Sequence, residues 1–104
     1  MKAFIINVRQ ARQRREHMTR VMAATGIDFE FCPAITPDDR PLRYFSALDN
    51  WMFLLETGRH RPRDSEIACY ASHLLLWKKC REFNEPIAVL EDDIEPAAEF
   101  AAVF

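Results

Sequence analysis

The sequence predicts an α/β fold, with a mostly parallel sheet and helices on both of its faces, on three observations. Residues 3–8 (Ala-Phe-Ile-Ile-Asn-Val) and 87–90 (Ile-Ala-Val-Leu) are short, nearly continuous apolar runs, the pattern of strands buried on both sides. Segments with helical spacing of apolar residues lie between them. The resulting order, β–α–β–loop–α–α–β–α, alternates strands with helices as a parallel sheet requires. Such a unit is half of a Rossmann-like nucleotide-binding fold. The 104 residues suffice for a single domain, 1–104, with one modest core.

The first strand, residues 3–8, is interrupted near its carboxyl end by Asn7. Residues 10–25 read as a helix, with Ala11, Arg15, Met18, Val21 and Met22 along one side and Gly26 in the C-cap position that glycine favours. Residues 27–32 (Ile-Asp-Phe-Glu-Phe-Cys) alternate apolar and polar side chains, a strand nearer a sheet edge. Pro33, Pro37 and Pro41 punctuate a loop rich in Asp and Arg. Residues 44–56 are predicted helical, and 58–63 form a basic connection. The strongest helix spans 65–83, with Asp64 or Ser65 as cap and Glu66 in the first turn, where the helix dipole favours an anion. Its expected apolar side carries Cys69, Tyr70, His73, Leu74, Leu76, Trp77, Cys80 and Phe83; Lys78, Lys79 and Glu82 face out. Asn84, Glu85 and Pro86 break it before the second apolar run, which has the pattern of a central strand. Pro96 opens a last helix through Phe104. That helix stops at the chain end, leaving one sheet edge without its expected neighbour.

Composition excludes several functions. A net charge of −2 argues against wrapping nucleic acid, and the basic early helix lacks the interleaved aromatics of a single-strand platform. No apolar run approaches the roughly 20 residues of a membrane span, and the N-terminal apolar stretch is too short for a signal peptide. Cys32, Cys69 and Cys80 are odd in number and contain no C-x-x-C, so neither a disulfide framework nor a zinc knuckle is expected and a reducing, cytoplasmic location fits. With Gly26 and Gly58 as the only glycines, neither G-x-G-x-x-G nor a P-loop can be built.

The chemistry concentrates in Glu91, Asp92 and Asp93, which follow the second apolar run where a strand leaves its sheet. Ligands of open α/β sheets bind outside the carboxyl ends of the strands. Adjacent carboxylates there repel unless a cation or proton intervenes, and hard oxygen ligands suit Mg²⁺ or Mn²⁺, which in turn hold phosphates. A metal–phosphate site is the functional expectation; a solvated acidic loop is the alternative. Asn7, on the same sheet edge, either hydrogen-bonds a base or ribose or caps the following helix. Of Arg9, Arg12, Arg14, Arg15 and Arg20, most form a solvated helix face, while one near the helix start can meet a diphosphate. Cys69 and His73 are spaced i, i+4 as a metal pair, but no third ligand is spaced to suit. His73 therefore reads as a packed core residue. Ser72 beside it has no glycine for a nucleophile elbow, which removes Ser–His hydrolase chemistry.

Taken in order, these pieces resemble glycosyltransferase family 25, the lipopolysaccharide and lipooligosaccharide biosynthesis transferases. Ile5-Ile6-Asn7-Val8 and the arginines through Arg15 match the family's opening "I-N-L" strand and basic helix. Residues 29–35 resemble its second strand and "A-V/I" exit. Glu66-Ile67-Ala68-Cys69 with Ser72-His73 and Trp77 resembles "G-E-I-G-C-x-x-S-H", and Val89-Leu90-Glu91-Asp92-Asp93 resembles "V-L-E-D-D", with Phe100 after it. Val8 departs from the usual Leu, Ala68 from Gly, and Thr36-Pro37 from Asp-Gly or Asn-Gly. Family members are generally more than twice as long, with later segments that supply the acceptor site and catalytic base.

The resemblance implies a GT-A-like fold that takes a UDP-hexose, typically UDP-galactose, and transfers the sugar to a lipooligosaccharide or other saccharide acceptor. Residues 91–93 would be the D-x-D-type element. Asp93, with Glu91, would hold Mn²⁺ or Mg²⁺; Glu91 or Asp92 would contact ribose or sugar; Asn7 and Arg9 would hold the nucleotide; Glu66, Ser72 and His73 would shape the site. No general base is assigned. Peripheral association with the cytoplasmic face of the inner membrane and a homodimer are further expectations. The rivals are a truncated, inactive nucleotide-sugar-binding or interaction domain and a phospho-receiver. The receiver is disfavoured because its acidic block belongs on a first strand with later strands following.

Overall fold

The computed structural model describes residues 1–45 and 63–103. Three strands, β1 (Lys2–Asn7), β2 (Phe29–Pro33) and β3 (Ile87–Glu91), form one sheet in the order β2-β1-β3, with both pairings parallel. Two α-helices are described, α1 (Arg12–Ala23) and α2 (Asp64–Phe83), with short 3₁₀ turns at Pro37–Asp39, Pro41–Tyr44 and Phe100–Val103. The expected helix over 44–56 and the connection over 58–63 fall, apart from Tyr44, Phe45 and Arg63, outside the described residues. No described helix is long and apolar enough to cross a membrane.

Alternation along β1 distributes the two helices over the two faces. Ala3 and Ile5 point to one side and pack with Met18 and Met22 of α1, all four fully buried. Partly buried Ile27, Phe29, Phe31, Ala88 and Leu90 close round this core. Phe4, one residue out of phase, points to the other side, where the Lys79 ammonium of α2 stands 4.8 Å from its ring centroid. Ile5, Met18, Met22 and Phe4 each contribute roughly 1.5–3 kcal/mol on burial.

The structure corrects several expectations. The apolar run of β3 is not central: β1 is, and β3 lies at an edge of the described sheet with half-buried side chains. Gly26 does not cap α1 directly. Ala24 does, and Thr25 then accepts the Ile27 amide on its hydroxyl (3.2 Å) before Gly26 turns the chain at φ +71°. The cap of α2 is Arg63, without a side-chain hydrogen bond, so neither Asp64 nor Ser65 fills that role. Its buried stripe is Ile67, Ala68, Ala71, Ser72 and Leu76, whereas Tyr70, Trp77 and Phe83 are each more than half exposed. The face that α2 buries carries mostly small side chains, with Ser72 Oγ bonded to the Ile35 amide, and that choice of face turns the aromatic residues outward. Lys79, expected to face out, instead sets its ammonium over the Phe4 ring. After Pro96 the one regular element among the described residues is the 3₁₀ turn, held by bonds such as Phe100 N–H to Ala97 O (3.0 Å).

Candidate active site

Register places the site. Ile6 pairs with Glu91, so Asn7 and Asp92 come next, side by side where β1 and β3 leave the sheet. The chain runs from β1 through α1 to β2 on one flank, then returns past β1 to β3 on the other. The crevice between the carboxyl ends of β1 and β3 is thus a topological switch point, where open α/β sheets bind ligands.

Asn7 is 4% exposed and Asp92 8%. The Asn7 amide nitrogen donates to Asp92 Oδ2 at 2.8 Å and, more weakly, to the Ala11 carbonyl at 3.4 Å. The Asn7 amide oxygen accepts from Arg15 Nε at 3.1 Å, and the same guanidinium also donates to the Arg9 carbonyl. Asp92 Oδ1 faces Arg14 Nη1 at 3.5 Å. Asn7 therefore does not cap α1; the cap is Ala11, with no side-chain bond. Its amide instead joins a cation to a carboxylate, with both ends hydrogen-bonded to charged groups. Such bonds contribute about 1.5–3 kcal/mol each.

In front of this junction lies a cleft of about 290 Å³. Glu91, Asp92 and Asp93 line one wall with Arg14; Cys69 and Ser72 of α2 and residues 34–37 line the other. Ser72 Oγ accepts the Ile35 amide and donates to the Ala68 carbonyl, both at 2.9 Å, and so fixes the wall. Glu91 Oε1 stands 3.4 Å from His73 Nε2 and accepts the Cys69 thiol at 3.6 Å. Burial, reinforced by Glu91, pushes the Cys69 thiol above its ordinary range. Asp93 is exposed at the turn after β3.

Arg9 lines a neighbouring cleft of about 370 Å³ with Arg43 and Tyr44, which shares residues 34–36 with the first. Glu66, exposed in the first turn of α2, lines neither cleft. The structure thus groups Asn7, Asp92, Asp93, Glu91, Ser72 and His73, leaves Arg9 next door and sets Glu66 apart. Arg14 and Cys69 are additions that the sequence reading did not select. Arg15 was legible in principle: an arginine on the Ala11–Met18–Met22 stripe must find a partner if that stripe is buried. The missing third neighbour of Cys69 and His73 is Glu91, reached through the fold and not through local spacing.

Fold and cleft together define a Rossmann-like α/β unit with an acidic crevice at the switch point. The sequence model described as glycosyltransferase family 25 (LPS biosynthesis protein) matches residues 1–104, and the chain belongs to that family. It is 36% identical to the lacto-N-neotetraose biosynthesis glycosyltransferase LgtB of Neisseria meningitidis serogroup A, over 98% of this chain and 37% of that protein. It is 32% identical to the lipooligosaccharide biosynthesis protein lic2B of Haemophilus influenzae, over 88% and 33%. With LgtE of Neisseria meningitidis serogroup B the figures are 30% identity, over 90% and 32%. The chain spans about a third of the length of these relatives.

Proposed function

We propose that this chain carries the donor-binding part of a glycosyltransferase that moves a hexose, galactose in the first instance, from a UDP-sugar to a lipooligosaccharide or lipopolysaccharide acceptor. The observation that supports this most is the division of labour among the three acids. Asp92 is taken up by Asn7 and Arg14, whereas Glu91, with 48% of its side chain exposed, and Asp93 keep carboxylate oxygens at the cleft. Two hard carboxylates beside an arginine fit a divalent cation with a diphosphate, and Glu91 and Asp93 would hold Mn²⁺ or Mg²⁺. When bound, the ion offsets the charge that develops on the departing UDP.

The protein's own residues do the rest. Arg14, its side chain 64% exposed at the cleft wall, offers a guanidinium fork to phosphate oxygens. Arg9 extends that positive lining into the adjoining cleft. Asn7, itself held by Arg15, fixes the Asp92 carboxylate in place, so that Asp93 and Glu91 leave the sheet in a set direction. On this reading the reaction takes place at the cytoplasmic face of the inner membrane, where such donors and lipid-linked acceptors meet.

The test is turnover by the full chain with a UDP-hexose, Mn²⁺ and a saccharide acceptor. Release of UDP that depends on acceptor is expected. Donor binding without any product would favour the rival reading, a nucleotide-sugar-binding domain without catalysis, which the one-third share of the relatives' length keeps in play.

A further inference from the structure

We propose that Cys69, His73 and Glu91 form a zinc site at the side of the cleft. Cys69 and His73 lie one turn apart on α2, so their side chains stack on a single face of the helix. Glu91, the last residue of β3, brings one oxygen to both: Oε1 is 3.6 Å from the thiol sulfur and 3.4 Å from the imidazole Nε2. Zn–S bonds near 2.3 Å and Zn–N or Zn–O bonds near 2.0–2.1 Å give ligand–ligand edges of about 3.3–3.5 Å in a tetrahedron. Two of the three edges are therefore already close to the length a bound ion would impose. The third, sulfur to imidazole, is no longer than 4.8 Å and closes by side-chain torsion.

The donor set selects the metal. Thiolate, imidazole and carboxylate together suit Zn²⁺, while Mg²⁺ and Mn²⁺ prefer oxygen throughout. Three protein ligands leave a fourth position for water on the open side, where Cys69 and Glu91 are both exposed. The site shares Glu91 with the hard-cation pair Glu91 and Asp93. If the donor reading above is right, zinc draws that carboxylate toward α2 and weakens Mn²⁺–UDP binding.

Titration of the full chain with Co²⁺, in the absence of nucleotide, tests the site independently of the donor reading. One equivalent should produce a thiolate-to-cobalt charge-transfer band and the intense visible bands of a four-coordinate ion, and Zn²⁺ should bleach both. Cys69→Ser should remove the charge-transfer band, and Cys80→Ser should retain it. Glu91→Gln, at an exposed position that does not threaten folding, should weaken cobalt binding by at least about tenfold. Absence of the band in the unmodified chain would overturn the proposal. So would its survival in Cys69→Ser, its equal loss in Cys80→Ser, or unchanged affinity in Glu91→Gln.

Discussion

At position 7 only an amide satisfies both neighbours, because Arg15 presents a donor and Asp92 an acceptor to the two ends of one side chain. Asn7→Ala leaves a nearly buried carboxylate without its shortest bond and the Arg15 Nε–H without its acceptor. We expect a loss of about 2–3 kcal/mol, read as a lower urea midpoint at unchanged slope. Cys69 carries a second expectation. Its folded thiol titrates above the ordinary cysteine range, through burial first and Glu91 second, so its alkylation should rise with pH at a higher midpoint than that of a free thiol. Glu91→Gln removes the negative charge, favours the thiolate and should move that midpoint down. Mass spectrometry of the alkylated peptide across a pH series reads the shift. The acids and Asn7 stood out in the sequence because polar residues closing an apolar run are conspicuous. The Asn7–Asp92 bond spans 85 residues and the Cys69–Glu91 contact 22; the first follows from strand register and the second from how α2 lies beside β3, neither of which a local pattern encodes.

Among the elements, α1 secures the site from one face of the sheet. Met18 and Met22 are buried against Ala3 and Ile5, and Arg15, one turn earlier on the same stripe, reaches Asn7. Met18→Ala should cost about 2–5 kcal/mol in chemical denaturation, since a close-packed core of four residues has little freedom to collapse into the void. The helical periods of α1 and α2 were plain from sequence, but their ends were displaced: α1 was expected over 10–25 and runs Arg12–Ala23. Neither helix has a side-chain N-cap bond, and without that signal the entry point is set by the turn that precedes the helix, Ala11 N–H to Val8 O at 2.9 Å for α1. The face of α2 was misjudged for a different reason. Periodicity alone ranks large apolar residues as buried, whereas the face that α2 buries carries the small Ala68, Ala71 and Ser72, the last bonded to the Ile35 amide.

For the molecule as a whole, the α/β class and the parallel pairing were legible because two apolar runs flank helical segments, and βαβ connection admits few topologies. The order β2-β1-β3 was not, and it is the order that makes the acidic turn after β3 a neighbour of Asn7 and so creates the crevice. The account stands on Glu91 and Asp93 at that crevice serving a cation and a diphosphate. Calorimetric titration of UDP in the presence of Mn²⁺ tests this most directly, comparing the unmodified chain with Asp93→Ala and with chelator added. The account predicts saturable binding by the unmodified chain and its loss in both other arms; binding undiminished in either arm would contradict it.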